Sequence, residues 1–129
     1  MAPAPTDRRS RGRAAEALAE AFLQGQGYQT LARNHATRRG EVDLICRERD
    51  VVCFVEVRSR TGRAQGSPLE TVGAAKARRV VAAAVDWVAR NGAEGRALRF
   101  DVVGVTLGDG SPRFELVRGA FDGDGRACP

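Results

Sequence analysis

Four charged residues are spaced so that strand alternation would bring them to one surface. Glu41 and Asp43 lie in the run Glu41-Val42-Asp43-Leu44-Ile45-Cys46-Arg47, and Glu56 and Arg58 lie in Val51-Val52-Cys53-Phe54-Val55-Glu56-Val57-Arg58. Alternation sets Val42, Leu44 and Cys46 opposite to Glu41 and Asp43, and sets Val51, Cys53, Val55 and Val57 opposite to Phe54, Glu56 and Arg58. If the apolar sets turn to a common core, the charged residues share the other face. Only Glu48-Arg49-Asp50 separates the runs, which predicts a hairpin. A two-residue turn at Arg49-Asp50, or a four-residue loop from Glu48 to Val51, sets Asp43 against Glu56 and Glu41 against Arg58. A three- or five-residue loop would break that pairing. Directly opposed Cβ atoms are about 4.5–5.5 Å apart, and like charges there are destabilising. A bound divalent cation removes the conflict, and carboxylates are hard ligands suited to Mg²⁺ or Mn²⁺. The plainer alternative is a solvated polar face with Glu41 and Arg58 as a cross-strand ion pair.

Other chemistries have less to build on. The three cysteines, Cys46, Cys53 and Cys128, form no CxxC and no Cys/His spacing, which argues against a zinc site. Cys46 and Cys53 fall in apolar strands and are expected as buried reduced thiols. The single histidine, His35, sits in a basic stretch and is expected to be exposed.

The elements that would position the carboxylates follow from pattern. The chain has 129 residues, 43% of them hydrophobic, which suits one domain with a real core. Residues 1–9 read as a flexible basic arm, 10–121 as the folded domain and 122–129 as a flexible tail. A helix is predicted from Ser10 to Gln24, with Leu18, Ala21, Phe22 and Gly25 on its apolar stripe behind Ala14. A short strand follows from Tyr28 to Arg33, then a basic turn from Asn34 to Gly40 and the hairpin. A second helix is predicted to start at a Ser67-Pro68-Leu69-Glu70 capping box, or at Thr71, and to end at Asn91-Gly92. Its core stripe is Val80, Val81, Ala84, Val85 and Val88, with Trp87 packing beside it. Strands from Leu98 to Leu107 and from Arg113 to Val117 close the domain. The order α-β-β-β-α-β-β contains a β-α-β crossover, so an α/β fold with a mixed central sheet flanked by helices is expected. Asp101, inside a strand, reads as structural.

The runs Gly40-Glu41-Val42-Asp43-Leu44-Ile45 and Phe54-Val55-Glu56-Val57-Arg58-Ser59-Arg60 together resemble the bacterial YraN-like family of proposed endonucleases. That family is related to archaeal Holliday-junction resolvases and has a restriction-endonuclease-like PD-(D/E)xK core. The likeness covers residues 11–121 and includes Gly12-Arg13-Ala14-Ala15-Glu16, Gly27-Tyr28, Arg33-Asn34, Arg99-Phe100-Asp101-Val102-Val103 and Gly119-Ala120-Phe121. The resemblance implies a divalent-metal-dependent endonuclease that hydrolyses phosphodiester bonds. It implies Asp43, Glu56, the Val57 carbonyl and Glu16 as metal ligands, with Glu41 adjoining the site. It also implies a homodimer, since resolvase-like relatives cut two strands symmetrically. One departure concerns the lysine that ends the family motif, which here is Arg58. Arginine supplies charge and phosphate hydrogen bonds but does not deprotonate usefully. Lys76, on the next helix, is the one lysine available to stand in, and an exposed helix charge is the alternative role. A nucleic-acid-binding module that keeps the fold and has lost catalysis is the competing expectation.

Charge points to the partner. The net charge is +5, and the isoelectric point is near 10.0. A polyanion is the natural partner of such a chain. Arg38, Arg39, Arg60, Arg63, Arg78 and Arg79 flank the carboxylates and are expected to contact phosphate. Few aromatics argue against single-strand base stacking, so duplex or branched DNA is expected. No apolar run nears the roughly 20 residues that span a bilayer, and no secretory leader is recognisable, so a cytoplasmic protein without membrane contact is expected.

Overall fold

Both faces of the central hairpin are apolar, so each needs a cover. Fully buried Leu44, Cys46, Cys53 and Val55 alternate with fully buried Ile45, Val52 and Phe54. A computed structural model describes the backbone of residues 8–61, 72–108 and 110–128, and side chains from residue 12 onward. It contains α1 (Arg8–Gly25), β1 (Gln29–Ala36), β2 (Glu41–Glu48), β3 (Val51–Thr61), α2 (Ala74–Arg90), β4 (Ala97–Leu107) and β5 (Arg113–Phe121). The sheet order is β1-β2-β3-β4-β5, with β3 and β4 parallel and every other neighbour antiparallel. The crossover from β3 to β4 through α2 is what makes the sheet mixed. The fold is thus α/β in the order α-β-β-β-α-β-β.

Each helix seals one face. Under α1, Ala15, Ala19 and Leu23 meet Leu44, Cys46, Cys53, Val55, Val103 and Val105. Under α2, Ala77, Val80, Ala83 and Ala84 meet Ile45, Val52, Phe54, Phe100, Val102 and Phe121. The rings of Phe54, Phe100 and Phe121 follow one another at 5.6 and 5.2 Å across that face, and Trp87 sets its edge on Phe54 at 6.0 Å. The expected single apolar face is therefore corrected. The Phe54 face is a second core rather than a solvated surface, and Val42 belongs to it instead of siding with Leu44.

Several boundaries shift for physical reasons. The buried stripe of α1 is Ala15, Ala19 and Leu23, one position round from the predicted one, and Ala21 is exposed. Small side chains let the helix lie close to the sheet, which periodicity of larger residues does not reveal. The predicted capping box Ser67–Glu70 and the alternative start at Thr71 lie outside the described residues. The described helix begins at Ala74, after Gly73 as N-cap without a side-chain cap. β1 extends through His35, so the turn shrinks to Thr37–Gly40. The residues beyond β5, expected as a loose tail, fold back: Cys128 N–H donates to the Ala120 carbonyl at 3.0 Å, and Asp122 N–H to that of Arg126 at 2.9 Å.

A polar cluster locks one end of the sheet. Asp101 is fully buried and accepts from Tyr28 Oη at 2.8 Å, Arg99 Nε at 2.8 Å and Gly119 N–H at 3.0 Å. Arg99 also donates to Glu48 at 2.7 Å. Every lone pair that burial removes from water is thus met within the cluster, which makes Asp101 a structural residue.

Candidate active site

The hairpin register brings the two carboxylates together. β2 and β3 turn at Arg49-Asp50, and the ladder runs from Glu48–Val51 to Leu44–Val55. The next rung would set Asp43 against Glu56, and there the regular ladder stops. Asp43 Oδ2 instead accepts the Val57 N–H at 2.8 Å. A strand residue's N–H and C=O point to the same side, so the Val57 carbonyl also faces the place where β2 has left the ladder.

Glu56 continues the Phe54 side of β3 and is only 2% exposed. Burial pushes its carboxyl well above the usual range, to about 9, and the neighbouring Asp43 carboxylate adds to the rise. Lys76 acts in the other direction. Glu56 Oε2 is buried and accepts no hydrogen bond within geometric limits. Lys76 Nζ stands 3.4 Å from it and 3.5 Å from Glu41 Oε1. The lysine comes from the first turn of α2, so the helix that covers the sheet also delivers a cation to the carboxylates. Glu41 is ion-paired there, and the ladder that would have set it against Arg58 has ended. Arg58 is half-buried two residues past Glu56, on the same side of β3.

Glu16 approaches from α1. Desolvation raises its pKa first, and the Asp43 charge raises it further, while a hydrogen bond with Asn34 opposes both. Asn34 lies beside Asp43 in the β1–β2 ladder, between the Arg33–Leu44 and His35–Val42 rungs, with φ at 51°. Among the described residues no group of three or more His, Cys, Asp or Glu side chains is gathered tightly enough to hold a metal ion. The arrangement is instead a close pair, Asp43 and Glu56, with Glu16 and Glu41 near it. Mg²⁺ needs only one or two protein carboxylates, the rest of its shell being water and phosphate. A buried carboxylate oxygen without a donor beside a second carboxylate fits such an ion.

A glycine fixes the geometry between hairpin and helix. A Cβ on Gly40 would lie 1.8 Å from the Arg79 carbonyl oxygen, so the β1–β2 turn rests directly on the α2 backbone. That contact sets Glu41 and Asp43 at a defined distance from Lys76.

The expected phosphate-contacting arginines disperse. Arg38 and Arg39 are exposed at the tip of the β1–β2 turn, and Arg78 and Arg79 are exposed on α2. Gly125 of the returning tail lies over Arg78, where a Cβ would come within 2.9 Å of Arg78 Cγ. Arg60 is 15% exposed and lies 3.8 Å from Glu115 on β5, so it is turned into the fold. Arg63 lies outside the described residues. His35 is not simply exposed: its Nε2 is 2.9 Å from Asp86 Oδ2 on α2. Sequence reasoning missed that pair and the Glu16–Asn34 contact, because both join residues on different elements. The left-handed conformation of Asn34 has no sequence signal beyond asparagine's tolerance of it.

Residues 15–105 match the family described as "Uncharacterised protein family UPF0102". The chain is 67% identical over 120 residues to a UPF0102 protein of Anaeromyxobacter sp. (strain Fw109-5), covering 93% of this chain and 90% of the relative. A Myxococcus xanthus UPF0102 protein is 41% identical over 119 residues, covering 92% and 94%. One from Pseudomonas aeruginosa strain PAO1 is 45% identical over 123 residues, covering 91% and 98%. Among the described residues no helix is long and apolar enough to cross a membrane.

Proposed function

This chain belongs to the UPF0102 family, and we propose that it is a divalent-metal-dependent DNA endonuclease of the restriction-endonuclease-like kind, cytoplasmic and acting on duplex or branched DNA. One observation carries the reading. Two carboxylates, Asp43 and Glu56, are brought together under α2, and the buried Glu56 Oε2 has no donor but the Lys76 ammonium at 3.4 Å. Folding bears a cost there, because burial and the Asp43 carboxylate disfavour the ionised form of Glu56 and hold its proton on. A function that needs negative charge there explains its presence.

Asp43 and Glu56, with the Val57 carbonyl and Glu16, would hold Mg²⁺ or Mn²⁺. A divalent cation supplies Lewis acidity, lowering the pKa of water and neutralising phosphate charge. The chain's own groups do the rest. Asp43 is oriented by the Val57 N–H, which donates to its Oδ2. Lys76 Nζ is positioned to face negative charge developing on a phosphoryl group, and its ion pair with Glu41 keeps it extended toward the site. Arg58 offers a second, permanently charged donor. Glu56, as a carboxylate beside the metal, or a substrate phosphate would accept the proton that the attacking water loses. Lys76 thus takes the place of the lysine that Arg58 replaces in the strand motif. A homodimer supplies the second site that a two-strand cut requires, and a monomer in sedimentation at micromolar concentration removes that part.

The test compares wild type with Asp43→Ala on linear, single-stranded, flapped and four-way-junction DNA, in Mg²⁺, Mn²⁺ or EDTA. Metal-dependent cutting that disappears in the variant is expected. The arginine at position 58 favours the second reading, a binding module without catalysis. Binding without cutting by wild type under every condition would select it.

A further inference from the structure

The arginines at the β1–β2 turn do not stand alone. They form one wall of an open groove whose other wall is α2, lined by His35, Arg38, Arg39, Val85, Asp86 and Arg90. We propose that this groove is a track for the sugar-phosphate backbone of the nucleic acid flanking the carboxylate site. The proposal rests on the reading above for the substrate class, and on the groove's own chemistry for the location.

Three features carry it. The first is charge. Arg38 and Arg39 have no carboxylate partner among the described residues. The groove's one acid, Asp86, is already held by Arg90 Nε at 2.9 Å and by His35 Nε2 at 2.9 Å. The lining therefore presents uncompensated guanidinium charge, which suits repeated phosphates.

The second is rigidity. The turn that presents Arg38 and Arg39 is closed by Thr37 N–H to the Gly40 carbonyl at 2.8 Å. Thr37 Oγ1 accepts from the N–H groups of Arg39 and Gly40 at 3.1 and 3.2 Å. Gly40 presses on the Arg79 carbonyl, tying the turn to the helix. The two arginines thus project from a preorganised tip rather than a floppy loop, which lowers the ordering cost of binding.

The third is placement. α2 runs from Lys76, at the carboxylates, to Arg90 at its last turn. At a rise of 1.5 Å per residue that distance is about 21 Å, the axial length of roughly six nucleotides of one B-form strand. The groove floor also explains Val85, an apolar side chain of α2 that is 65% exposed. An apolar floor beside the cationic turn matches sugars beside phosphates. Arg60, by contrast, is turned toward Glu115 of β5, so the track is narrower than the arginine content implies.

The experiment measures duplex binding in Ca²⁺ or EDTA as a function of salt, for wild type, Arg38→Ala/Arg39→Ala, Arg90→Ala and the control Arg113→Ala on the exposed start of β5. The double variant is expected to reduce the slope of log K against log salt by about 2, at about 0.9 per phosphate contact. Arg90→Ala, whose guanidinium is paired with Asp86, is expected to reduce it by less than the double variant does, and Arg113→Ala to leave it unchanged. Circular dichroism and melting of each variant separate lost contacts from lost fold, and Arg38→Lys/Arg39→Lys should restore the slope. A double variant with the wild-type slope, or a control that lowers it equally, overturns the groove. The outcome is separable from the nuclease reading. Binding that follows this pattern without any cleavage supports the track and removes the enzyme, whereas cleavage with an unaltered slope removes the track alone.

Discussion

Glu56→Gln should make the metal-free protein more stable, by a margin that widens as pH rises from 4.5 toward about 9. The substitution keeps the volume of a side chain that is 2% exposed and removes its ability to ionise. In the folded chain burial and Asp43 raise the Glu56 pKa from 4.5 to about 9. A raised pKa means that the folded state binds the proton more tightly than the unfolded chain. The associated stability is complete below the unfolded pKa and is lost as pH rises toward 9, so wild type weakens across that window while the glutamine variant does not. At about 1.4 kcal/mol per unit the shift bounds the effect at roughly 6 kcal/mol. Glutamine also forfeits the Lys76 ion pair, and local relaxation softens the penalty, which leaves an expected gain of about 2 kcal/mol. For a chain of this size that corresponds to roughly 6–8 °C in melting temperature. The assay is calorimetric melting of both proteins in EDTA at about pH 5 and about pH 8.5, repeated with excess Mg²⁺. The gain should be present at the higher pH, should shrink at the lower, and should narrow when Mg²⁺ stabilises wild type. A variant that melts at or below wild type at the higher pH refutes the reasoning.

Three further outcomes follow from the packing. Gly40→Ala places a methyl 1.8 Å from the Arg79 carbonyl oxygen, so turn and helix must separate. Denaturant unfolding should register a loss of about 1–3 kcal/mol or more, and Lys76-dependent activity should fall with it. Asp101→Ala leaves the Tyr28 hydroxyl and part of the Arg99 guanidinium without their buried acceptor, and chemical denaturation should show a loss of about 3–5 kcal/mol, against about 1 kcal/mol for Tyr28→Phe. Burial pushes the thiols of Cys46 and Cys53 up to about 12, while Cys128 is exposed. Alkylation of the native protein with iodoacetamide, read by mass spectrometry, should label Cys128 alone until the chain is unfolded.

What the sequence discloses here is local and what it conceals is long-range. A two- or four-residue loop at Arg49-Asp50 would set Asp43 against Glu56, so their proximity is legible in the sequence as one of the registers it allows, and the ladder from Glu48–Val51 selects it. The crossover order is legible too, because the second helix and the strands around it have distinct periods. The face assignment is not, because Leu44 and Ile45 are equally apolar and only the presence of two helices says that both sides are covered. The α1 stripe is displaced because Ala15 and Ala19 bury themselves through smallness rather than hydrophobicity. Lys76 is named from sequence as the lysine available to stand in, with an exposed helix charge as the alternative, and its approach to Glu56 goes with the contact that Gly40 makes between the turn and α2. His35–Asp86 and Tyr28–Asp101 join residues 51 and 73 positions apart, and no spacing rule links such distances.

The central claim is that Asp43 and Glu56 are kept together to hold a divalent cation, and a Mn²⁺ titration followed by electron paramagnetic resonance tests it directly. Wild type should bind Mn²⁺, Mg²⁺ should compete for it, and Asp43→Ala and Glu56→Gln should each lose the binding while Lys76→Ala retains it. Folded wild type that binds no Mn²⁺ at millimolar concentration, or an Asp43→Ala variant that binds it as wild type does, contradicts the account.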